Sequence, residues 1–222
     1  QLAALESLGT IRPINVSHGK YIKLTTKKRL HENQLNDIST QEDIFYIEPN
    51  QRYYTQIVPE KNNPILPMDW YYDQQWGLKN TGANSGGMFK PGKEGEDINA
   101  EAAWEVQTGD AQIIVAVIDT GVDYTHNDLK ENMWINEAEL NGTEGIDDDD
   151  NGFVDDINGY DFSNNDNDPM DGHGHGTHCA GVIGAKHNDI GVKGVMSDVQ
   201  LMAIKFLADN GSGTIEGAIK AI

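Results

Sequence analysis

The sequence has 222 residues, of which 37% are hydrophobic, enough apolar material for a sizeable core divided between two units. The formal net charge is −20, and because residues 1–60 hold seven basic and seven acidic side chains, the whole excess falls on residues 61–222. A nucleic-acid partner needs a basic surface, so this balance argues against that class. No run of eighteen apolar residues occurs, which predicts no transmembrane helix and no membrane partner. A single cysteine excludes an internal disulfide framework.

The first part of the chain contains the alternating patterns of a small mixed unit. Residues 1–9 predict the end of a helix, and residues 10–16 and 20–26 alternate enough to form two strands. A short helix over residues 32–40 and a strand over residues 43–50 follow. The order of strand, strand, helix and strand predicts a small α+β domain.

A connecting segment separates this unit from the rest of the chain. Residues 57–68 hold three prolines and no hydrophobic periodicity, which predicts an extended linker that proteases can reach. Residues 80–95 are rich in glycine, asparagine and lysine and predict a surface loop. Asn99 is the expected N-cap of a helix that reaches about Thr108.

One strand is marked more clearly than any other. Six apolar residues run unbroken from Ile113 to Ile118, which predicts a strand of a parallel sheet that is buried on both faces. Asp119 follows at its carboxyl end, the edge at which ligands and chemistry lie in open α/β sheets. An aspartate in this position is often structural, so its meaning depends on what else reaches the same edge.

An acidic block follows, with eleven acidic side chains and no lysine or arginine in residues 144–171. Such a block is usually a solvated segment. Its spacing favours calcium instead, because oxygen donors stand at alternate positions before a glycine, as in the first half of an EF-hand loop. The bidentate glutamate of such a loop is replaced by Asn158, which predicts an ion held by a loop alone. The expected ligands are Asp147, Asp149, Asn151, the carbonyl of Phe153, and Asp156 or Asp155.

Three histidines, His173, His175 and His178, lie within six residues where a glycine-rich turn opens a predicted helix. Convergent imidazoles can hold zinc, and this spacing nearly matches the H-x-H-x-D-H pattern of metallo-β-lactamase-like hydrolases. Thr177, however, stands where that pattern needs its aspartate. The competing chemistry is general-base catalysis, in which a carboxylate orients one imidazole that takes a proton from a serine.

Two motifs resemble the aspartate and histidine motifs of the subtilisin-like serine proteases, the subtilases. They are residues 117–121, Val-Ile-Asp-Thr-Gly, and residues 175–181, His-Gly-Thr-His-Cys-Ala-Gly. The likeness extends from about residue 69 to the last residue. It is carried by residues 125–129, 188–192, 204–207 and 210–214.

The resemblance implies an α/β fold, with a parallel-sheet catalytic domain over residues 69–222 that is incomplete. It also implies that residues 1–56 are an incomplete, ferredoxin-like propeptide, joined by the linker at residues 57–68. In this family the propeptide assists folding and its tail inhibits the active site. By the same resemblance Asp119 is the orienting acid and His175 the general base. The substrate-binding edge is Gly211, Ser212 and Gly213.

The nucleophile of the family has no counterpart in this sequence. It belongs to a Gly-Thr-Ser-Met-Ala-like turn, and Ser163, Ser197 and Ser212 lack that context. We therefore expect a truncated sequence whose serine lies beyond Ile222, and we expect this chain alone to be inactive. Cys179, beside the histidine motif, is expected to be a small core residue without a catalytic role.

Two further calcium sites are implied by the resemblance. One resembles a calcium loop of thermophilic-type subtilases, and its ligands are Asp161, Asn164, Asp166 and Asp168. The other is the high-affinity site of the family. Its ligands are the side chains of Asp128 and Asn188, the carbonyls of Lys186, Ile190 and Val192, and Asp69 from the mature N-terminus.

The expected function is that of a calcium-dependent, secreted endopeptidase acting on protein or peptide substrates. Its expected partners are its own propeptide, as an intramolecular inhibitor, and a second chain that carries the C-terminal half. Two other readings stay open. One is a catalytically dead, calcium-binding homologue, and the other is a zinc hydrolase that uses His173, His175 and His178.

Overall fold

The computed structural model describes residues 9–16, 19–26, 52–54, 71–82 and 92–222, together with Leu5, Leu30 and Ile38. The strands are β1 (Gly9–Val16), β2 (Gly19–Thr26), β3 (Arg52–Tyr54), β4 (Gly109–Asp119), β5 (Gly159–Asp161), β6 (Asp198–Lys205) and β7 (Ser212–Thr214). The α-helices are α1 (Ala100–Trp104), α2 (Glu137–Leu140), α3 (His175–Gly184) and α4 (Ile215–Lys220). Short 3-10 turns lie at Tyr72–Gln74 and Lys130–Asn132.

The central element is a parallel sheet of three strands in the order β4, β6 and β5. Strand β6 lies in the middle and pairs Ile118 of β4 and Tyr160 of β5 with Ile204. The carboxyl ends of all three strands therefore meet at one edge, which Asp119, Asp161 and Lys205 occupy in register. This arrangement confirms the predicted α/β class.

Helix α3 packs against one face of this sheet through small residues. A Cβ atom added to Gly184 would lie 2.6 Å from Val199 Cγ1, so only glycine lets the helix approach β6 this closely. The buried core lies between the helix and the sheet. Its members are Val117, Val122, Leu129, Met133, Ala180, Ala185, Val199, Leu201 and Ala203.

The opposite face of β4 corrects one sequence expectation. The strand was predicted to be buried on both faces, but Ile114 is 49% exposed and Ile118 is 37% exposed. Side chains alternate along a strand, so Val115 and Val117 face the α3 side while Ile114 and Ile118 face away from it. Helix α3 covers one face, and the described residues leave those two isoleucines partly open. An apolar run therefore predicted the strand correctly and its burial wrongly.

The helix predicted from Asn99 starts where expected but is shorter. It ends at Trp104 rather than near Thr108. Asn99 occupies the N-cap position with a left-handed backbone (φ 56°), and its N–H donates to Asp97 Oδ1 at 2.8 Å. Its side chain makes no capping bond, so the position is confirmed and the side-chain cap is not.

The N-terminal hairpin confirms the first two predicted strands within one residue at each start. Strands β1 and β2 pair antiparallel from Gly9–Thr26 to Val16–Gly19. The hairpin contacts α4, where Lys23 forms an ion pair with Glu216. Leu5 and Ile38 are helical, and the remainder of the helix over residues 32–40, the strand over residues 43–50 and the linker lie outside the described residues.

No helix in the described segments is sufficiently long and apolar to span a bilayer.

A matched pair of substitutions tests which face of the sheet carries the core. Leu201 of β6 is fully buried, so Leu201→Ala should lower the free energy of unfolding by roughly 2–5 kcal/mol. Ile114→Ala on the open face should cost about 1 kcal/mol or less, because that side chain already contacts water. Urea unfolding of the two variants measures both values, and equal losses would contradict the described burial.

Candidate active site

The carboxyl end of β4 holds Asp119 rigidly by its backbone. Its carbonyl oxygen accepts hydrogen bonds from the N–H groups of Phe206 and Leu207 at 3.0 and 3.1 Å. The side chain is mostly buried, with 15% of it exposed, and its Oδ1 also accepts the N–H of Thr120 at 2.7 Å. The carboxylate is thus oriented before any partner is considered.

His175 is the first residue of α3 and faces this carboxylate. Its Nδ1 lies 2.7 Å from Asp119 Oδ1 and 2.9 Å from Asp119 Oδ2. Gly174, immediately before it, has a φ of 97°, a conformation that suits glycine and turns the chain into the helix. A carboxylate on Nδ1 leaves Nε2 as the ring nitrogen that can accept a proton from a substrate or nucleophile.

A polar cluster beneath the pair joins the strand end to the helix start. Thr120 is fully buried, and its hydroxyl accepts the N–H of Gly176 at 2.9 Å and donates to Asp171 Oδ1 at 2.9 Å. On the other side, the hydroxyl of Thr177 donates to Asp171 Oδ2 at 2.6 Å and accepts the N–H of Asp123 at 2.9 Å. Thr120, which follows Asp119, and Thr177, which lies two residues after His175, therefore bind the same carboxylate.

The carboxylate of Asp171 accepts hydrogen bonds from several protein donors. Burial alone raises its pKa, but hydrogen bonds from Thr177, Gly174 and His173 outweigh burial, and the net pKa is lowered. Asp171 opens the histidine motif, yet sequence analysis assigned it no role. The signal was its place before a glycine-rich helix start, where exposed N–H groups favour a carboxylate.

Lys205 is a second residue that sequence analysis missed. Its side chain is only 3% exposed, and its ammonium donates to the carbonyls of Thr120 and Met170 at 2.9 and 3.0 Å. It also pairs with Asp209 Oδ1 at 2.5 Å. The buried cation therefore connects the end of β4 to the loop before His175 and to the loop before β7.

The three histidines do not form a joint metal site. Among the described residues, neither group of three acidic, histidine or cysteine ligands that lie within 4.8 Å of one another contains His173 or His178. One group is Asp119, His175 and Cys179, whose sulfur lies 3.8 Å from His175 Nδ1. Burial, then the nearby Asp119 and Asp171, raises the pKa of the Cys179 thiol, and a protonated thiol is a poor metal ligand. The geometry gives the zinc reading no support.

The predicted substrate edge is a short strand preceded by a turn. Gly211 is buried with a φ of 74°, and Ser212 and Gly213 belong to β7. The N–H and hydroxyl of Ser212 both donate to Asn210 Oδ1, at 3.0 and 2.6 Å. Strand β3 lies antiparallel along this edge and pairs Tyr53 with Gly213 and Tyr54 with Ser212.

The acidic loop gathers some of its predicted ligands and adds one. Carboxylate oxygens of Asp149, Asp156 and Glu139 lie within 4.8 Å of one another. Glu139 and Asp156 are buried, and burial first of all raises the pKa of Asp156. Glu139 stands ten residues before Asp149 in a short helix, outside the alternating pattern, so the loop spacing could not reveal it.

The other predicted ligands of this loop lie around the three carboxylates in different ways. The side-chain amide of Asn151 donates to Asp149 Oδ2 at 3.2 Å and to Asp156 Oδ2 at 3.1 Å. Asp147 instead accepts the N–H groups of Asn151 and Gly152. Phe153 donates its N–H to Asn151 Oδ1 and packs its ring on Tyr160. The structure thus brings Asn151 to the cluster, while the Asp147 carboxylate closes the turn.

The second predicted calcium loop does not converge. Asp161 is fully buried and accepts the N–H groups of Ser163 and Asn164 and the Asn164 side-chain amide, as a turn cap does. Within the described part of the chain, Asp161, Asp166 and Asp168 form no group of three with ligand atoms within 4.8 Å. These carboxylates instead accept local backbone N–H groups, and Asp168 also accepts the Tyr124 hydroxyl at 3.0 Å. The convergence expected of Asp161, Asn164, Asp166 and Asp168 is therefore absent.

Asp128, from the third predicted site, is brought onto its expected loop. It is 2% exposed; its Oδ2 accepts the N–H of Val192 at 3.0 Å and its carbonyl accepts that of Lys186 at 2.9 Å. Within the loop, Asn188 Oδ1 accepts the N–H of Ile190 at 3.1 Å. Asp69 lies outside the described residues.

A parallel sheet with an aspartate at a strand end and a histidine at the facing helix start defines the class of α/β hydrolytic sites with a carboxylate-oriented base. The sequence matches the Subtilase family over residues 110–222, half of the chain. The chain belongs to the subtilase family, as its two motifs predicted.

Relatives of the chain are proteases of much greater length. Subtilisin-like protease 1 of Plasmodium berghei (strain Anka) is 49% identical over 49% of this chain and 18% of that protein. Thermophilic serine proteinase of Bacillus sp. (strain AK1) is 34% identical over 80% of this chain and 33% of that protein. Halolysin-like extracellular serine protease Nep of Natrialba magadii is 30% identical over 88% of this chain and 29% of that protein. The chain thus spans a third or less of each of these relatives.

The lowered pKa of Asp171 predicts a pH-dependent contribution to stability. A carboxyl whose folded pKa lies below its unfolded value of about 3.9 stabilises the folded state above that pH, and the contribution disappears as pH falls through the folded pKa. Asp171→Asn should therefore lower the free energy of unfolding at pH 6, and its difference from the unsubstituted chain should shrink towards pH 3. Denaturant unfolding at both values measures the difference. A difference in the free energy of unfolding that stays constant or grows on acidification would contradict the lowered pKa of Asp171.

Proposed function

We propose that this chain supplies the aspartate–histidine half of a serine endopeptidase active site. The observation that carries the proposal is the contact of His175 Nδ1 with both oxygens of Asp119, at 2.7 and 2.9 Å. The mostly buried pair lies at the carboxyl edge of the sheet, beside a strand edge that an extended peptide could join. Membership of the subtilase family and the names of its protease relatives support the same conclusion.

Each residue has a defined role in this mechanism. Nε2 of His175 takes the proton of a serine hydroxyl as the serine oxygen attacks the peptide carbonyl, and later gives it to the leaving amine. Asp119 stays ionised, holds the imidazole in the tautomer that carries its proton on Nδ1, and stabilises the imidazolium. The serine is expected from a part of the full-length protein outside this sequence, either on the same chain or on a second one.

The substrate is proposed to be an extended protein or peptide segment bound along Gly211, Ser212 and Gly213. An exposed strand edge recognises such a segment through backbone hydrogen bonds. Strand β3 supports this role, because residues 52–54 already pair with β7 in that manner. The N-terminal unit, residues 1–56, would then act as an intramolecular inhibitor whose tail occupies the substrate edge.

Contacts between the hairpin and the catalytic domain support the inhibitory role. Strand β1 contacts α4, and Lys23 of β2 forms an ion pair with Glu216 of the same helix. That pairing, more than any other factor, holds the pKa of Glu216 below its usual range. Helix α4 follows β7 directly, so one surface would bind both the hairpin and the inhibitory tail.

Calcium is the cofactor that the acidic loop fits best. Glu139, Asp149 and Asp156 offer hard carboxylate oxygens in one place, and residues 144–171 contain no basic side chain to neutralise them. A bound calcium ion would supply that neutralisation and hold the loop between α2 and β5. Asn151 would add a side-chain oxygen after rotation of its amide, with Asp147 and the Phe153 carbonyl as outer positions.

A second calcium site is proposed between Asp128 and residues 186–192. The contacts from Lys186 and Val192 to Asp128 already fold this loop around a buried carboxylate. Asn188 by its side chain, and Lys186, Ile190 and Val192 by their carbonyls, would complete the site together with Asp69. We propose no ion at Asp161, Asn164, Asp166 and Asp168, because their carboxylates do not converge.

We further propose that the full-length protein acts outside the cell. One relative, from Natrialba magadii, is named as an extracellular protease. Calcium sites built from exposed loops also suit a compartment in which calcium is plentiful.

Substitution of the pair tests the catalytic proposal in the full-length protein. His175→Ala should lower kcat for a peptide substrate by about a millionfold, because it removes the base, and Asp119→Asn by roughly ten-thousandfold, because the imidazole then loses its tautomer and the charge that stabilises the imidazolium. His178→Ala is the matched control, since this histidine is exposed and lies one turn along α3 from His175, and its activity should stay within a few-fold. Steady-state kinetics measure all three. Equal losses in His178→Ala, or no activity in the unsubstituted protein, would refute the proposal.

Calorimetric titration of the chain with calcium tests the acidic-loop site. Asp149→Asn and Glu139→Gln should each weaken or abolish one calcium-binding event, with an affinity loss of at least about tenfold, because each removes a charged ligand. Asp110→Asn changes an exposed carboxylate that accepts only the N–H of Gln112, so it should bind like the unsubstituted chain. Calcium at a hundredfold excess over its dissociation constant should stabilise the chain by roughly 2.7 kcal/mol. Unchanged titrations in both ligand variants would exclude this site.

The pairing of β3 with β7 narrows the position of maturation cleavage. Strand β3 runs from Arg52 towards Ser212, the end of β7 that adjoins the loops around Gly172 and Asp209 beside the histidine motif. A peptide bound along β7 in this direction would present the residues that follow it to His175, so we expect the mature N-terminus between residues 55 and 69. Mass spectrometry of matured full-length protein measures it. A mature N-terminus within residues 43–50, or a stable uncleaved protein, would contradict the inhibitor assignment.

A further inference from the structure

We propose that Asp171 is a positioning residue, whose carboxylate sets the separation and orientation of Asp119 and His175 by joining the strand end to the helix start. Its importance for catalysis rests on the proposed function of that pair. The positional role itself concerns only the geometry of the pair and can be tested without turnover.

The first support is the number and origin of the donors that meet on this carboxylate. Oδ1 accepts the N–H groups of His173 and Gly174, at 2.9 and 2.8 Å, and the hydroxyl of Thr120 at 2.9 Å. Oδ2 accepts the N–H and the hydroxyl of Thr177, at 2.9 and 2.6 Å. Five donors from two separate elements converge on one side chain, which an ordinary helix cap with one or two bonds does not require.

The second support is what those donors adjoin. Thr120 follows Asp119 directly, and its hydroxyl also receives the N–H of Gly176, the residue after His175. Thr177 receives the N–H of Asp123 from the loop after β4. Each hydroxyl therefore donates to Asp171 and accepts from the opposite element, so the carboxylate directs both hydroxyl protons. If the carboxylate is lost, neither the Thr120 nor the Thr177 hydroxyl is held in the orientation that bridges the strand and the helix.

The chemistry requires a carboxylate rather than an amide at this position. An amide of the same shape has only one oxygen acceptor. Its NH₂ group is itself a donor, so it cannot accept the hydrogen bonds of the N–H or O–H groups that it would face. Asp171→Asn must therefore abandon at least the bonds on one side, either to Thr177 or to Thr120, His173 and Gly174. Charge-assisted hydrogen bonds of this kind are stronger than neutral ones, so the loss should be visible at the pair.

Close backbone contact offers a competing account of the same geometry. A Cβ atom on Gly176 would lie 2.1 Å from the carbonyl oxygen of Gly121, so the helix start and the strand end also touch directly. If that contact alone sets the pair, removal of the Asp171 carboxylate would lower stability but leave His175 in place in every folded molecule. The experiment has to report on the His175 ring itself.

The ring Nδ1–H proton of His175 provides that readout in the chain labelled with ¹⁵N-histidine. Its resonance is assigned by its loss in His175→Gln, and its exchange with solvent reports how tightly Asp119 holds it. Asp171→Asn should accelerate this exchange by at least about tenfold, or broaden the resonance beyond detection, at a temperature where circular dichroism shows the chain folded. Asp110→Asn, which removes the charge from one local turn acceptor at the far end of β4, should leave the resonance unchanged.

Thr120→Val provides a second variant that keeps four of the five bonds to Asp171 and removes the bridge to β4, including the acceptor of the Gly176 N–H. It should also accelerate exchange at His175, although less than Asp171→Asn. If Asp171→Asn does not fold, Thr120→Val decides. An unchanged His175 resonance in a folded Asp171→Asn chain, or in Thr120→Val if that variant alone folds, overturns the proposal. A full-length protein that shows no peptidase activity would refute the proposed function while leaving this comparison intact.

Discussion

The structure depends on the meeting of one strand end with one helix start. Strand β4 delivers Asp119 and α3 begins with His175, 56 residues later, yet two side-chain atoms must lie 2.7 Å apart. Glycine makes the approach possible, because Gly176 touches the backbone of Gly121 and Gly184 lies against Val199. Hydrogen bonds then select one geometry among those that close packing allows, since the hydroxyls of Thr120 and Thr177 each bridge the two elements. The small residues and the threonine hydroxyls therefore both help to hold Asp119 next to His175.

Charge is distributed around this junction in a way that the net charge does not reveal. Lys205, a buried cation, donates to carbonyls at the end of β4 and in the loop before the histidine motif. Asp171, an anion, accepts the donors at the helix start. A buried charge is costly unless it is fully hydrogen-bonded, and both groups meet that condition. The acidic loop differs, because Glu139, Asp149 and Asp156 converge with no described basic side chain between them. The acidic loop thus gathers carboxylates without a basic side chain, although Glu139 also accepts the backbone N–H groups of Asp148, Asp149 and Asp155.

Sequence patterns predicted the parts of this arrangement that depend on local order. The apolar run 113–118 identified β4, and the spacing of small residues after Gly174 identified α3. The family resemblance then paired Asp119 with His175.

Three features could not be predicted, for different physical reasons. The open face of β4 depends on which elements cover it, and no property of the strand encodes that. Glu139 joins the acidic loop from an upstream helix, so no local spacing contains it. Asp161 shares the composition of a calcium ligand, but its carboxylate is satisfied by the N–H groups of its own turn. Both loops are rich in aspartate and asparagine, and the direction of their oxygens distinguishes them.

The central claim is that His175, among three adjacent histidines, is the base of a serine peptidase site. Alkylation by a peptide chloromethyl ketone tests it directly, because such a peptide would bind the proposed substrate edge and bring its reactive carbon to the imidazole nitrogen proposed to face the scissile bond. After reaction of the full-length protein, peptide mapping by mass spectrometry should find one adduct, on Nε2 of His175, and Asp119→Asn should slow its formation. An adduct on His173 or His178, or labelling whose rate is indifferent to Asp119, would contradict this account.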